Sequence, residues 1–459
     1  MLWTDKVKKI LKKHFKFTEL KDKQIEVINA FLNGNDVIGL LPTGYGKSLT
    51  YILPPLLTKK TIFVICPLIS LMEDQKDNLE KVGIKVATLN CNNHNKQEDI
   101  LKIIDGDIKI VYMSPEYLVE GDGFELARVL VEKKILGFFA VDESHCISSW
   151  GHDFRSTYLK LKFIREEFPQ IPILALTATA KKQVVIEIQE LLNLNNPIII
   201  SASFDRPNLL IKCKEIDKEH KYNKNGCPMK NKNGEYIKVS IDKWLIVRDY
   251  INKYQNEKII IYVNSRKETE ELSKSINDNI KNCSVSYHAG LSKQIREQVH
   301  TDFSNDNVKV IVSTIAFGMG IDQIVRCVII FGCPSSIEEY YQQIGRGGRD
   351  GLQCETVLYF DMTNFMRSKS MLTREITNPK LLNTRLSNLQ QVCNFFKSTN
   401  CRRKYILNYF GQTSKNSCNN CDNCIYKKHI KSKDTTPVIC CDDPFVNIES
   451  ICKNIDFIK

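Results

Sequence analysis

Short apolar runs alternate with amphipathic stretches along most of the chain. Residues 36–41, 61–66, 108–113, 135–141, 173–176 and 198–200 are close to continuously apolar. Runs of that length and character are strands buried on both faces of a parallel sheet. A second series occupies 258–263, 283–287, 308–312 and 326–331. Most of these runs end in polar residues and are followed by a helical pattern, the alternation of an open α/β sheet, which binds ligands at the carboxyl ends of its strands. Residues 5–32 read as two helices. The pattern over 49–57 is helical too, and Pro54-Pro55 predicts a kink or an end there. The organisation that follows is a first α/β domain over 1–204 and a second over 205–360. A small helical module over 361–430 and a tail over 431–459 complete the chain. The Lys-, Asn- and Gly-dense stretch 217–240 predicts a loop or hairpin insertion in the second domain.

Composition narrows the class. With 459 residues and 42% hydrophobic content the chain is globular, with room for two to four domains. A formal charge of +12 favours an anionic partner such as nucleic acid. The 17 cysteines are odd in number and mostly scattered, which suits reduced thiols inside a cell, with one clustered set left for a metal. The first residues lack the apolar core of a signal peptide. No run approaches eighteen apolar residues, so no membrane span is expected.

The candidate chemistry begins directly after the first apolar run, at Pro42-Thr43-Gly44-Tyr45-Gly46-Lys47-Ser48. Strand, glycine-bearing turn and helix together make a phosphate site. Gly44 and Gly46 let successive N–H groups turn inward, and the helix N-terminus adds partial positive charge. In such a loop Lys47 reaches the β- and γ-phosphates of ATP and the Ser48 hydroxyl takes Mg²⁺. Upstream, the Gln24 amide has a donor and an acceptor for the edge of adenine.

The run over 135–141 delivers Asp142-Glu143-Ser144-His145. Phosphoryl transfer to water needs a carboxylate for Mg²⁺ and a group that orients or deprotonates the water. Asp142 suits the first task and Glu143 the second. Two adjacent carboxylates at the end of a buried strand are costly without a cation. Next come Trp150, His152, Phe154 and Arg155, aromatics interleaved with basic groups of the kind that stack on single-stranded bases. Near the other end, Cys418-x₂-Cys421-x₂-Cys424, with Cys401 one helix away, provides four thiolates for tetrahedral Zn²⁺.

These stretches, with 67–75, 175–180 and 203–208, resemble a RecQ-type helicase of superfamily 2. The Trp-Gly-His-Asp-Phe-Arg piece is the most specific. Leu41 stands where the general phosphate-loop pattern has Gly, as in the helicase variant of that loop. The resemblance implies two RecA-like P-loop domains in tandem plus a small helical zinc-binding module, with ATP, Mg²⁺ and Zn²⁺ as cofactors. It adds Lys21, where the family usually has Arg, and Thr43 and Asp322 to the nucleotide contacts. In the family an aromatic-rich loop, here Trp150 to Arg155, couples DNA binding to ATP hydrolysis. From the stretch ending Gln343-Ile344-Gly345-Arg346-Gly347-Gly348-Arg349, Arg349 is expected to be the arginine finger. Arg346 is expected close to phosphate and Gln343 near the attacking water. The cysteine spacing matches the family's zinc module. Only 35 residues follow Cys424, fewer than the winged helix common in the family needs, so the resemblance implies a chain truncated after the zinc module.

The expected activity is that of an ATP-dependent 3′-to-5′ DNA helicase acting on single-stranded or tailed DNA, as a monomer, inside the cell in the nucleus or cytoplasm. An RNA helicase, and an ATP-driven translocase or annealing factor that unwinds poorly, stand as alternatives. A non-catalytic nucleic-acid-binding zinc protein fits less well, because Lys47, Asp142, Glu143 and Arg349 are all present.

Overall fold

The apolar runs assemble into two separate sheets in a computed structural model. It describes residues 4–15, 18–90, 96–148, 155–178, 181–216, 218–220, 228–230, 238–314, 323–414 and 417–432. The first sheet contains β1 (Val37–Leu40), β2 (Thr61–Ile65), β3 (Val86–Leu89), β4 (Ile110–Met113), β5 (Leu136–Val141), β6 (Ile173–Thr177) and β7 (Ile198–Ser201). Its strands lie in the order β3-β4-β2-β5-β6-β1-β7 and all pair in parallel. Every carboxyl end therefore opens on the same edge, and the loops after β1, β2, β5 and β6 meet there.

The opposite edge is tied by one carboxylate. Asp36, immediately before β1, is buried and accepts from Arg165 Nη2 at 2.6 Å, from the Ile173 N–H at 2.9 Å and from the Asn195 N–H at 2.7 Å. It thereby joins the starts of β1 and β6 to the turn before β7.

The second sheet contains β8 (Leu209–Glu215), β11 (Lys258–Tyr262), β12 (Ser284–Tyr287), β13 (Val310–Ser313), β14 (Val325–Gly332) and β15 (Cys354–Phe360), in the order β12-β13-β11-β14-β15-β8, again parallel. Between them in sequence, β9 (Lys218–His220) and β10 (Lys238–Ser240) pair antiparallel, so the insertion begins and ends as a hairpin. Both sheets have the parallel α/β build expected of RecA-like domains.

Within the two parallel sheets, three strands, β3, β8 and β15, have no counterpart among the apolar runs. β8 alternates buried and half-exposed positions because it is an edge strand. β15 is buried throughout, yet it carries Glu355 and Thr356. Glu355 is satisfied inside by Lys212 Nζ at 2.7 Å and the Tyr254 hydroxyl at 2.8 Å. The helix after the phosphate loop also departs from expectation. It runs unbroken from Ser48 to Thr58 with both prolines inside it. Proline removes a donor and keeps its carbonyl, so Pro54 O still accepts from Thr58 Oγ1 at 2.8 Å and Pro55 O from the Lys59 N–H at 3.0 Å. The helix ends only there, where Lys59 turns left-handed at φ 62°.

The remaining described residues form helices Met362–Glu375, Pro379–Lys397, Arg402–Tyr409 and Asp422–Ser432. Aromatic contacts fasten them to the second domain: Phe396 stacks on Phe360 of β15 with centroids 4.6 Å apart, and Phe395 lies 5.1 Å from Tyr340 on the helix Ile337–Ile344. Among the described residues no helix is long and apolar enough to cross a membrane.

Candidate functional site

The loop after β1 is shaped by two left-handed glycines, Gly44 at φ 80° and Gly46 at φ 86°, positions that other residues adopt only with strain. Gln24 holds this loop from behind. Its Nε2 donates to Tyr45 O and Gly46 O, both at 3.0 Å, and its Oε1 accepts from the Lys21 N–H at 2.8 Å. A Cβ on Gly46 would sit 2.5 Å from that amide nitrogen, a second reason for glycine. Lys21 Nζ donates to Gly44 O at 3.4 Å and lies over the Tyr45 ring.

β5 brings Asp142 and Glu143 to the same edge. Glu143 has a left-handed backbone, φ 45°, which turns it toward the loop, where its Oε1 lies 3.3 Å from Lys47 Nζ. Asp142 is buried and its Oδ1 accepts from the Glu143 N–H at 2.9 Å. Burial and, after it, the Glu143 charge push the Asp142 carboxyl up to about 6, against the pull of Lys47. A raised carboxyl beside a second one marks a place for a cation. His145 joins this edge to β6: its Nδ1 lies 3.1 Å from Thr177 Oγ1 and 3.3 Å from Glu143 Oε2. Thr177 stands 32 residues from His145 in sequence, so no local pattern shows the pairing.

The second domain meets the loop from the other side. A Cβ on Gly345 would lie 3.2 Å from Thr43 Cβ, and one on Gly44 would lie 3.5 Å from Arg349 Cγ. Burial pushes the Tyr262 phenol, at the end of β11, above its ordinary range, and the charges of Arg346 and Arg349 only partly oppose that push. A cavity of about 1740 Å³ is lined from both domains, by Gln24, Lys47, Ser48, Asp142 and Glu143 on one side and Arg346 and Arg349 on the other. Gln343 is buried on the helix Ile337–Ile344 and donates to Glu339 Oε1 at 3.0 Å. Asp322 lies outside the described residues.

Of the aromatic-basic stretch, Trp150, His152 and Phe154 also lie outside the described residues. Arg155 donates through Nη1 to Pro67 O at 2.6 Å, which ties it to the loop after β2. Together with Asn90, Ser114 and Tyr117 it lines a separate cavity of about 740 Å³.

In the C-terminal module, Cys401, Cys418, Cys421 and Cys424 place their sulfurs within 4.8 Å of one another, and those of Cys418 and Cys424 are 3.9 Å apart. Bonds of about 2.3 Å in a zinc tetrahedron separate sulfurs by roughly 3.8 Å, so the set fits that metal. The Lys404 N–H points at the Cys401 sulfur at 3.5 Å and the Asn420 N–H at the Cys418 sulfur at 3.4 Å, as thiolate ligands require. The cluster is anchored by Arg402, whose Nε is 3.0 Å from Asp422 Oδ1, while Asp422 Oδ2 accepts from the Cys213 N–H of β8 at 2.8 Å.

Three family models match consecutive stretches of the chain: DEAD/DEAH box helicase over 21–188, helicase conserved C-terminal domain over 242–351 and RecQ zinc-binding over 362–425. A protein of Acanthamoeba polyphaga mimivirus described as an ATP-dependent RNA helicase is 38% identical over 433 residues, covering 94% of this chain and 74% of its own. The ATP-dependent DNA helicase RecQ of Haemophilus influenzae is 39% identical over 419 residues, 91% of this chain and 63% of that protein. The ATP-dependent DNA helicase Q1 of Rattus norvegicus is 33% identical over 444 residues, 95% and 67% of the two chains. The chain thus spans less than two thirds of the bacterial relative. Among solved structures, the helicase MrfA bound to DNA superposes with a TM-score of 0.62 at 16% identity, covering 93% of this chain and 60% of that one. The Mycobacterium smegmatis helicase Lhr, bound to ssDNA and AMP-PNP, gives 0.56 at 19% identity, covering 78% and 48%. At such identities the likeness is one of fold.

Proposed function

The chain belongs to the RecQ-type ATP-dependent helicases, and from that premise we propose that it hydrolyses ATP in the cleft between its two α/β domains to move 3′ to 5′ along single-stranded DNA, parting duplex ahead of a 3′ tail. One observation carries this reading: a single cavity is lined by Lys47 and Glu143 from one domain and by Arg346 and Arg349 from the other. A site split between two domains makes hydrolysis depend on their closure, and closure and opening are what move a bound strand.

The roles follow from charge and reach. Backbone N–H groups of the Thr43–Ser48 turn cradle the phosphates, and Lys47 exchanges Glu143 for the β- and γ-phosphates. Ser48 and Asp142 hold Mg²⁺, which when bound neutralises phosphate charge. Glu143, released from Lys47, orients and deprotonates the attacking water. Arg349 braces the equatorial oxygens of the transferring phosphoryl group, with Arg346 beside it. Gln343 reaches the water by exchanging its bond to Glu339. Gln24 and Lys21 serve the adenine end, and Asp322 belongs to the nucleotide contacts of the second domain. Trp150, His152, Phe154 and Arg155 form the stacking surface for the strand. The four cysteines hold a structural Zn²⁺ that takes no part in the chemistry. The protein works as a monomer, wherever the cell keeps its DNA.

Steady-state ATPase with single-stranded DNA, with single-stranded RNA and with neither tests this reading, alongside strand displacement from 3′- and 5′-tailed duplexes. DNA is expected to stimulate turnover and only the 3′-tailed duplex to be unwound. The name of the mimivirus relative favours one rival, an RNA helicase. Stimulation by RNA alone would establish that rival, and stimulation by DNA without displacement would leave a translocase.

A further inference from the structure

Between β7 and β8 the chain crosses from the first sheet to the second through residues 202–208. One side of this crossing is held by the cysteine module. Gln412 donates through Nε2 to Ala202 O at 3.0 Å, and its Oε1 accepts from the Phe204 N–H at 2.8 Å. Arg403 pairs with Asp205 at 2.8 Å and donates to Leu209 O at 2.7 Å. Asn420 Nδ2 donates to Pro207 O at 2.9 Å. The crossing is thereby fixed at both of its ends and near its middle.

Arg206 reaches instead into the junction of the two domains. Its Nη1 donates to Thr43 O, in the phosphate loop, at 3.2 Å. Its Nη2 donates to Gly347 O at 2.9 Å and to Gly348 O at 3.0 Å, in the turn between Arg346 and Arg349. Asn208 adds a further bond to that turn, Nδ2 to Gly348 O at 2.8 Å. Glycine makes the Asn208 approach possible: a Cβ on Gly348 would sit 2.4 Å from the Asn208 amide. One cation therefore spans one loop from each domain, through carbonyls alone. A planar fork does this with fixed geometry; the single ammonium of lysine, on a flexible stem, cannot hold both loops at once.

We propose that Arg206 is a positioning residue of the nucleotide site, fastening the Gly347–Gly348 turn to the phosphate loop so that Arg346 and Arg349 reach the cleft in register with Lys47. The proposal rests on the ATPase reading above and adds a residue that does not itself line the cavity. It also gives the cysteine module a path to the site, since that module holds the crossing from which Arg206 projects.

The test uses the full chain carrying Arg206→Ala, Arg206→Lys, Arg349→Ala and the Arg206→Ala/Arg349→Ala pair. Four quantities are read: kcat with saturating single-stranded DNA, affinity for a non-hydrolysable ATP analogue, zinc content, and amide hydrogen exchange of peptides spanning 345–351. Misplacing a catalytic group by about 1 Å costs on the order of 10²-fold, and both Arg206 variants are expected to lose kcat on that scale. Analogue affinity and zinc content should stay at wild-type values while exchange over 345–351 accelerates. In the double variant the Arg206 change should cost clearly less than it does alone, because Arg349, one of the two arginines it positions, is already gone. Multiplicative losses in the pair would overturn the proposal, as would weakened analogue binding with unchanged kcat, which would make Arg206 a phosphate ligand. If Arg206→Ala fails to fold, Arg206→Lys decides: wild-type exchange over 345–351 in that variant overturns the proposal. A wild-type chain without ATPase would defeat the parent reading alone, and the exchange data would still report on Arg206.

Discussion

Lys47 Nζ lies 3.3 Å from Glu143 Oε1, with both side chains mostly buried. The pair joins the loop after β1 to the acid after β5, across the intervening strand β6. The ion pair neutralises two charges that face the cavity from one domain. On the proposed ATPase reading, an incoming triphosphate would compete for Lys47 and leave Glu143 to act on water.

Glu143→Gln should therefore retain nucleotide binding and lose turnover, because the amide still fills the space and no longer takes a proton. Lys47→Ala should abolish hydrolysis. Arg349→Ala should spare binding and lower kcat by about 10³-fold or more, the scale of an arginine finger. Analogue binding and phosphate release, measured on the same preparations, separate the three. Unchanged turnover in Glu143→Gln would remove it as the base.

Metal analysis of the purified protein should find about one zinc per chain, since metal affinity at such a site is folding free energy. Cys421→Ser should lower metal content and melting temperature together. A folded, soluble preparation without metal would show that the four thiols stand alone.

Asp36 accepts from Arg165, Ile173 and Asn195 while buried. Asp36→Ala removes the carboxylate partner of Arg165, which keeps its bonds to Pro169 O and Ile171 O, and leaves two N–H groups unpaired; it should destabilise the first domain by about 3 kcal/mol. An unfolding free energy from urea titration that falls by less than a quarter of that would mean the edge is held by packing instead.

Glu355 supplies the pH dependence. Burial pushes its carboxyl up, but Lys212, Lys253 and the Tyr254 hydroxyl more than offset this and hold it down at about 2, against an ordinary value of 4.5. A depressed acid stabilises the fold fully above its unfolded pKa. That contribution is lost as pH falls from about 4.5 through about 2. Glu355→Gln should thus be less stable than wild type at pH 7 by about 2 kcal/mol, and the gap should narrow in acid. Denaturation series at stepped pH give both curves; a gap independent of pH would refute the assignment.

Much of the architecture was readable because it is locally encoded. Strands buried on both faces must be apolar along their whole length, so β1, β2, β4, β5, β6, β11, β13 and β14 announce themselves. Gly44 and Gly46 are needed where φ is positive, and three of the four cysteines sit at ligand spacing within seven residues. The family resemblance rests on the same local stretches. β3, β8 and β15 were hidden because one dilutes its apolar character with Ala87 and Thr88, one is a half-exposed edge and one buries a charge. Pro54 and Pro55 do not end the helix, because a proline still accepts on its carbonyl and the ladder can continue to Thr58 and Lys59.

What tertiary structure decided is which distant residues meet. Strand order brings His145 to Thr177 and Arg155 to Pro67. The crossing between sheets brings Arg206 to Thr43 on one side and to Gly347 and Gly348 on the other. No local pattern carries that information: a guanidinium reads the same in sequence whether it faces water, a phosphate or three carbonyls. Its partners exist only once two sheets, each folded for reasons written in its own strands, have been set against each other.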